Sequence, residues 1–124
     1  GLLKSYPDLK VIVSPSSVGI VAAAQAVKDQ GKIGKVYVTG LGLPSEMAGA
    51  IKSGASKSFA IWNPIDLGYA ATYLADDLVK GTATKTEASM GKLGKVKLDA
   101  EGNGAMAKPF VYDASNIDKF SKIF

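Results

Sequence analysis

The chain has 124 residues, 47% of them hydrophobic, with fifteen basic and eleven acidic side chains and a net charge of +4, enough for one domain of ordinary size with its own core. It contains no His and no Cys, and every basic residue is Lys, which excludes imidazole and thiolate catalysis, Cys/His zinc sites and disulfides. No apolar run approaches the ~20 residues of a membrane span, and scattered lysines without Arg argue against a nucleic-acid groove.

At the amino end, Leu2, Leu3 and Tyr6 before Pro7-Asp8 read as the last turn of an amphipathic helix, so the chain is expected to begin inside a longer protein. The same segment lacks the basic region, apolar core and cleavage site of a signal peptide. Leu9–Val13 is a short β-branched run, and Ser14-Pro15-Ser16-Ser17 opens a helix reaching about Gln30, closed by Gly31. Val18, Val21, Ala22 and Gln25 recur at helical spacing there. A second strand is expected over Lys35–Thr39, a loop over Gly40–Leu43, and a helix from Pro44 to about Ser53 with Gly54 just beyond its end.

Lys57–Trp62 reads as the third strand, and Asn63-Pro64-Ile65-Asp66 follows it without a gap. Asn before the helix, Pro at its first position and Asp in its first turn predict a capped helix to about Lys80, stopped by Gly81. Gly81–Gly94 is expected to be a loop or crossover. Lys95–Asp99 alternates, Ala100–Gly104 is a turn, and Ala105–Tyr112 is the expected second arm of a hairpin, which Pro109 makes an edge strand or interrupts. A short helix should close the chain over 113–120.

Three successive β-then-α units predict the α/β class with a parallel, doubly wound sheet, crossover segments and a late β-hairpin. The expected division is 1–62 for the β/α units, 63–94 for a crossing segment with its helix and loop, and 95–124 for the hairpin and terminal helix.

In such sheets small ligands bind outside the carboxyl ends of the strands. Those ends carry Ser14–Ser17, Leu41–Leu43 and Trp62-Asn63: hydroxyls, backbone donors, an amide and one aromatic ring. Sugars stack C–H faces on aromatic rings and give their hydroxyls to directional polar groups, so the set suits a neutral sugar. Each member also has a packing role open to it: a serine can cap the helix, and Trp62 can be core. Gly40-x-Gly42 lacks the third glycine and the acidic residue of a dinucleotide fingerprint and reads equally as a plain turn. A serine nucleophile would have only Lys as its base. No metal-ligand pattern and no cofactor motif stand out.

The order Tyr6-Pro7-Asp8, Ser14-Pro15-Ser16-Ser17, Ala22-Ala23-Ala24-Gln25, Val36–Gly40, Ile61–Gly68 and Ala75–Gly81, with the Asp99–Gly104 turn and Asn116–Phe120 ending, resembles the carboxyl-terminal part of type I periplasmic binding proteins. These are solute receptors of bacterial ABC importers, and the likeness is to the rhamnose-binding and autoinducer-2-binding branch. The resemblance implies one lobe of a two-lobed α/β protein, periplasmic, not an enzyme and without a cofactor. Its partners would be a monosaccharide, a membrane permease with its ATPase, and an amino-terminal lobe that this chain lacks. It carries ligand contacts onto Pro15 and Ser17, and onto Trp62 with Asn63 beside it, while a carboxylate common in pentose-binding relatives falls on Gly42.

Rhamnose is the leading ligand this implies, with autoinducer-2 as the alternative within the same fold. From other classes come the sugar-sensing domain of a transcriptional regulator and a small α/β enzyme. An upstream export signal or an upstream helix-turn-helix separates receptor from regulator. The resemblance also implies that the helix after Asn63 packs on the absent lobe. Its Ile65, Leu67, Tyr69, Ala71, Tyr73, Leu74 and Leu78 are a large apolar load without that support, so self-association of the fragment is expected.

Overall fold

The computed structural model describes residues 1–124, in two compact units: Gly1–Ile61 with Val111–Phe124, and Trp62–Phe110. The first unit contains α1 (Leu2–Ser5), β1 (Val11–Ser14), α2 (Ser17–Asp29), β2 (Tyr37–Gly40), α3 (Pro44–Ser53) and β3 (Ser58–Ile61). The second contains α4 (Pro64–Lys80), β4 (Glu87–Ser89), a 3₁₀ turn at Gly91–Leu93 and β5 (Lys95–Lys97). Beyond it, β6 (Phe110–Asp113) and α5 (Ile117–Phe120) return the chain to the first unit.

In the first unit β1 and β2 run parallel, from Val11 opposite Tyr37 to Ser14 opposite Gly40. A parallel bridge between Leu41 and Ala60 continues the pairing toward β3, and β3 pairs in turn with β6. Thr39 Oγ1 reinforces the β2–β3 side by donating to Ser58 O at 2.8 Å. α2 buries Ile20, Ala24 and Val27, and α3 buries Pro44, Met47 and Ile51. Those intervals of three and four residues place each set on one helix face. All of them but Pro44 join Val36, Val38, Phe59, Tyr112 and Ile117 in one core. At its far side Phe59 stacks on Tyr112 at 5.4 Å between ring centres, and Phe120 meets Tyr112 edge-on at 5.3 Å. Aromatic pairs of this geometry add about 0.5–1.5 kcal/mol each beyond area burial, so the terminal segment is a working part of the core.

Gly40 stands opposite Ser14 at the end of the β1–β2 pair. Its φ of +134° is a region that L side chains rarely adopt, and an added Cβ would lie 1.9 Å from the Ser14 carbonyl oxygen. Leu41 N–H then donates to that oxygen at 2.9 Å, and Gly42 N–H donates to Ala60 O at 3.2 Å. The Gly40-x-Gly42 pattern is therefore a packing device that lets three strand ends close up.

The second unit has its own small core of Ala70, Ala88, Met90 and Val96, with Leu74, Leu93, Leu98 and Met106 against it. Asp77 ties the helix to the strands that follow: its carboxylate accepts from the Thr82 hydroxyl and from Ser89 N–H at 2.7 Å. Of the seventeen residues of α4 only Ala70 is buried. Ile65, Leu67, Leu78 and Val79 are all more than half exposed.

The elements up to Lys80 match the expected ones closely. α3 and α4 have the predicted limits, with Gly54 and Gly81 left-handed just after them. The expected hairpin of Lys95–Asp99 with Ala105–Tyr112 does not form. β5 instead pairs antiparallel with β4, Glu87 opposite Lys97, while β6 pairs with β3. The loop expected over Gly81–Gly94 thus supplies a strand. Asp99 turns the chain tightly, accepting from Glu101 N–H at 3.0 Å and Asn103 N–H at 2.8 Å, and Pro109 has no N–H to give a ladder. The terminal helix is also shorter than expected, because Asp113 and Asn116 bond locally: Asp113 accepts from Ser115 N–H at 2.8 Å and Asn116 from Asp113 N–H at 3.1 Å.

Gly40→Ala should lower the unfolding free energy by about 3 kcal/mol or more through strain and clash. Gly49→Ala, in mid-helix with nothing within 4 Å of an added Cβ, should raise it by ~0.5–1 kcal/mol, both read from urea midpoints. The Thr82 hydroxyl, then the Ser89 N–H, hold the Asp77 carboxyl below its ordinary pKa. A carboxylate depressed in the folded state contributes stability above its unfolded pKa and loses it as pH falls through the folded value. Stability should therefore hold at neutral pH and decline below about pH 4, and Asp77→Asn should flatten that decline in thermal melts.

Candidate ligand-binding site

In the first unit the carboxyl ends of β1 and β2 and the Leu41–Ala60 bridge bring Ser14, Leu41 and Ala60 to one edge. Pro15 and Ser17 lie together there, on the turn from β1 into α2. Two of the serines are committed to that turn. Ser14 Oγ donates to Ser16 O at 3.2 Å and accepts from Ser16 N–H at 3.4 Å, while Ser16 Oγ caps α2 by accepting from Gly19 N–H at 3.3 Å. Ser17, the first residue of α2, is half-buried, and its hydroxyl makes no hydrogen bond within the chain. It stands among the free N–H groups of a helix start, which favour an oxygen-rich group. Pro15 is exposed beside it.

Gly42 lies at the same edge but is buried. A Cβ there would stand 2.9 Å from Met47 Cγ and 3.1 Å from Ile20 Cγ2. Any side chain at this position would press on Met47, Ile20 and Phe59 in the core.

In the second unit Trp62 and Asn63 are consecutive, at the start of α4. Asn63 Oδ1 accepts from Ile65 N–H at 2.9 Å and Asp66 N–H at 3.4 Å. The predicted cap is thus formed. Pro64 follows at the first helical position, where its missing N–H costs nothing. Trp62 is 37% exposed, and its indole N–H donates to Ala107 O at 2.6 Å. With that donor engaged, the ring has only its apolar faces to offer a ligand. Trp62, Leu67, Gly104, Ala105, Met106 and Ala107 line a hollow of about 260 Å³. The sequence reading missed the Gly104–Ala107 segment as a neighbour of Trp62. The one available signal was Pro109, which marks the preceding residues as non-sheet.

Pro15 and Ser17 in the first unit and Trp62 and Asn63 in the second are all uncharged.

Solved structures of similar chains place this architecture. A sugar ABC transporter protein from Actinomyces odontolyticus matches with a TM-score of 0.77 at 40% identity, over 97% of this chain and 39% of that one. An ABC transporter solute-binding protein from Clostridium phytofermentas with bound L-rhamnose matches with a TM-score of 0.83 at 38% identity, over 99% of this chain and 43% of that one. LsrB from Clostridium saccharobutylicum, in complex with AI-2, shares the fold with a TM-score of 0.78 at 18% identity, over 96% of this chain and 42% of that one. This chain therefore spans about two fifths of the length of each. Residues 1–83 match the periplasmic binding protein domain, and the chain belongs to that family.

Proposed function

We propose that the chain is the carboxyl-terminal part of the solute receptor of a bacterial ABC sugar importer, working outside the cytoplasmic membrane, and that it binds its ligand without transforming it. Residues 1–62 belong to one lobe of a doubly wound sheet, 63–94 form the segment that crosses toward an amino-terminal lobe, and the end of 95–124 returns to the first unit. The ligand is a neutral monosaccharide, with rhamnose first. Ser17 Oγ and the Asn63 amide serve its hydroxyls, Trp62 covers a C–H face, and Pro15 shapes the rim. The partners are the importer's permease and ATPase and the rest of the longer protein.

The observation that carries this reading is the uncharged strand-end edge with one uncommitted, half-buried hydroxyl at a helix start. A charged solute would require a fixed counter-charge there. The 38% identity to a protein with bound L-rhamnose supports rhamnose over other sugars. Autoinducer-2 remains the second ligand, favoured by the resemblance at Pro15 and Ser17. The exposed Ile65, Leu67, Leu78 and Val79 on α4 support self-association when this chain is produced alone.

Calorimetry on the intact protein with rhamnose, fucose, ribose, xylose, galactose and autoinducer-2 should give a saturable signal for rhamnose. No heat from any sugar would end the sugar reading, and a response to autoinducer-2 alone would promote the second ligand. Trp62→Ala should weaken sugar binding by ~1 kcal/mol or more. Asn63→Ala should cost ~1 kcal/mol of stability from the lost cap and affinity besides. Melting temperatures that fall in both variants with unchanged affinity would confine the pair to folding. Sedimentation of the 124-residue chain should reveal species larger than the monomer.

A further inference from the structure

At the opposite edge of the same sheet, lysines that are scattered in sequence converge. Lys10 immediately precedes β1, Lys35 lies two residues before β2, and Lys57 immediately precedes β3. Because β1 and β2 are parallel, their amino ends share one edge, and Tyr37 N–H donating to Lys10 O at 2.9 Å fixes that edge. Lys32 joins them through a tight turn, its carbonyl accepting from Lys35 N–H at 2.9 Å and Val36 N–H at 3.0 Å. Lys10, Lys32 and Lys35 line a hollow of about 390 Å³ with Tyr6, Tyr37 and Leu3 among its walls and no carboxylate in its lining. Lys57 Nζ lies 4.4 Å from the centre of the Tyr37 ring and adds a fourth cation.

None of these cations is held in an ion pair. The chain's ion pairs are Lys52–Asp118, Lys80–Asp76 and Lys95–Glu87, and none involves this edge. The first unit holds nine lysines against five carboxylates, the second six against six, so the whole net charge of +4 resides in the first unit. Lysines near the end of α2 complement the partial negative charge of its carbonyls, but that charge is about half an electron, and one lysine answers it. Three lysines around one hollow, with Lys57 on the Tyr37 ring beside them, repel one another until an anion enters.

We propose that this hollow binds a small phosphorylated molecule, a phosphate group carried on a single flat or apolar ring. Lysine ammonium groups bind phosphate as point charges without the fork of Arg. Tyr6, Tyr37 and Leu3 supply walls for the ring, and the volume lies at the lower end of the range for small-molecule sites, matching one ring rather than a nucleotide. The site lies at the strand end away from Ser14–Ser17 and does not depend on the sugar reading.

The test is a titration of the intact protein carrying this chain, isotope-labelled in Lys and Tyr, with phenyl phosphate. The backbone resonances of Lys10, Lys32, Lys35 and Tyr37 should move saturably, and raising the salt to about 1 M should weaken binding at least about tenfold as the Debye length falls to ~3 Å. Phenol and inorganic phosphate, the two halves of the probe, should each bind at least about tenfold more weakly. The double variant Lys32→Gln, Lys35→Gln should raise the Kd about fivefold or more with unchanged sugar affinity, and Lys57→Gln should give a smaller rise. Silent resonances, an unchanged Kd in the double variant, or inorganic phosphate binding as tightly as phenyl phosphate would overturn the site. Binding to phosphatidylglycerol vesicles without a response to phenyl phosphate would overturn it in favour of a lipid surface.

Discussion

The approach of β2 to β1 at Gly40 is the constraint on which the first unit depends. The Ser14 carbonyl occupies the space of a side chain on Gly40 and takes the Leu41 N–H. From there Leu41 bridges to Ala60 and Gly42 donates to Ala60 O. The Ser14–Ser17 turn, the buried Gly42 and the end of β3 are all placed by that closure. A larger residue at Gly40 would separate the strands, move the α2 start and displace the Ser17 hydroxyl from its edge.

Each unit encloses its own core, and the two differ in kind. The first is built from β-branched strands, two amphipathic helices and an aromatic cluster that draws in Tyr112, Phe120 and Phe124. The second rests on four small or flexible buried side chains and on the polar tie of Asp77 to Thr82 and Ser89. Much of α4 is apolar yet exposed.

The parts of this fold that were legible in sequence are those set by local chemistry. Pro44 and Pro64 at helix starts, Gly54 and Gly81 at helix ends and the Asn63 cap mark positions where one residue type fits the backbone. The β4–β5 pairing was not legible. Glu87-Ala88-Ser89 has little strand character of its own, and it becomes a strand because Ala88 is buried opposite Val96 and Ser89 N–H is bound by Asp77. Alternation in Lys95–Asp99 correctly marked a strand but could not name its partner. At the site, sequence singled out Ser14–Ser17 as a group, and only the hydrogen-bond geometry separates the structural Ser14 and Ser16 from the uncommitted Ser17. The Trp62–Ala107 bond spans 45 residues, a separation no local pattern encodes, and the lysine edge likewise exists only once the strands are parallel.

The central claim, that Pro15, Ser17, Trp62 and Asn63 contact a sugar in the intact protein, is tested most directly by a crystal structure of that protein soaked with L-rhamnose. The account predicts the sugar with Ser17 Oγ at hydrogen-bond distance, about 2.7–3.0 Å, and the Trp62 ring within about 4–4.5 Å of its C–H face. A sugar bound elsewhere, touching none of Pro15, Ser17, Trp62 and Asn63, would contradict it.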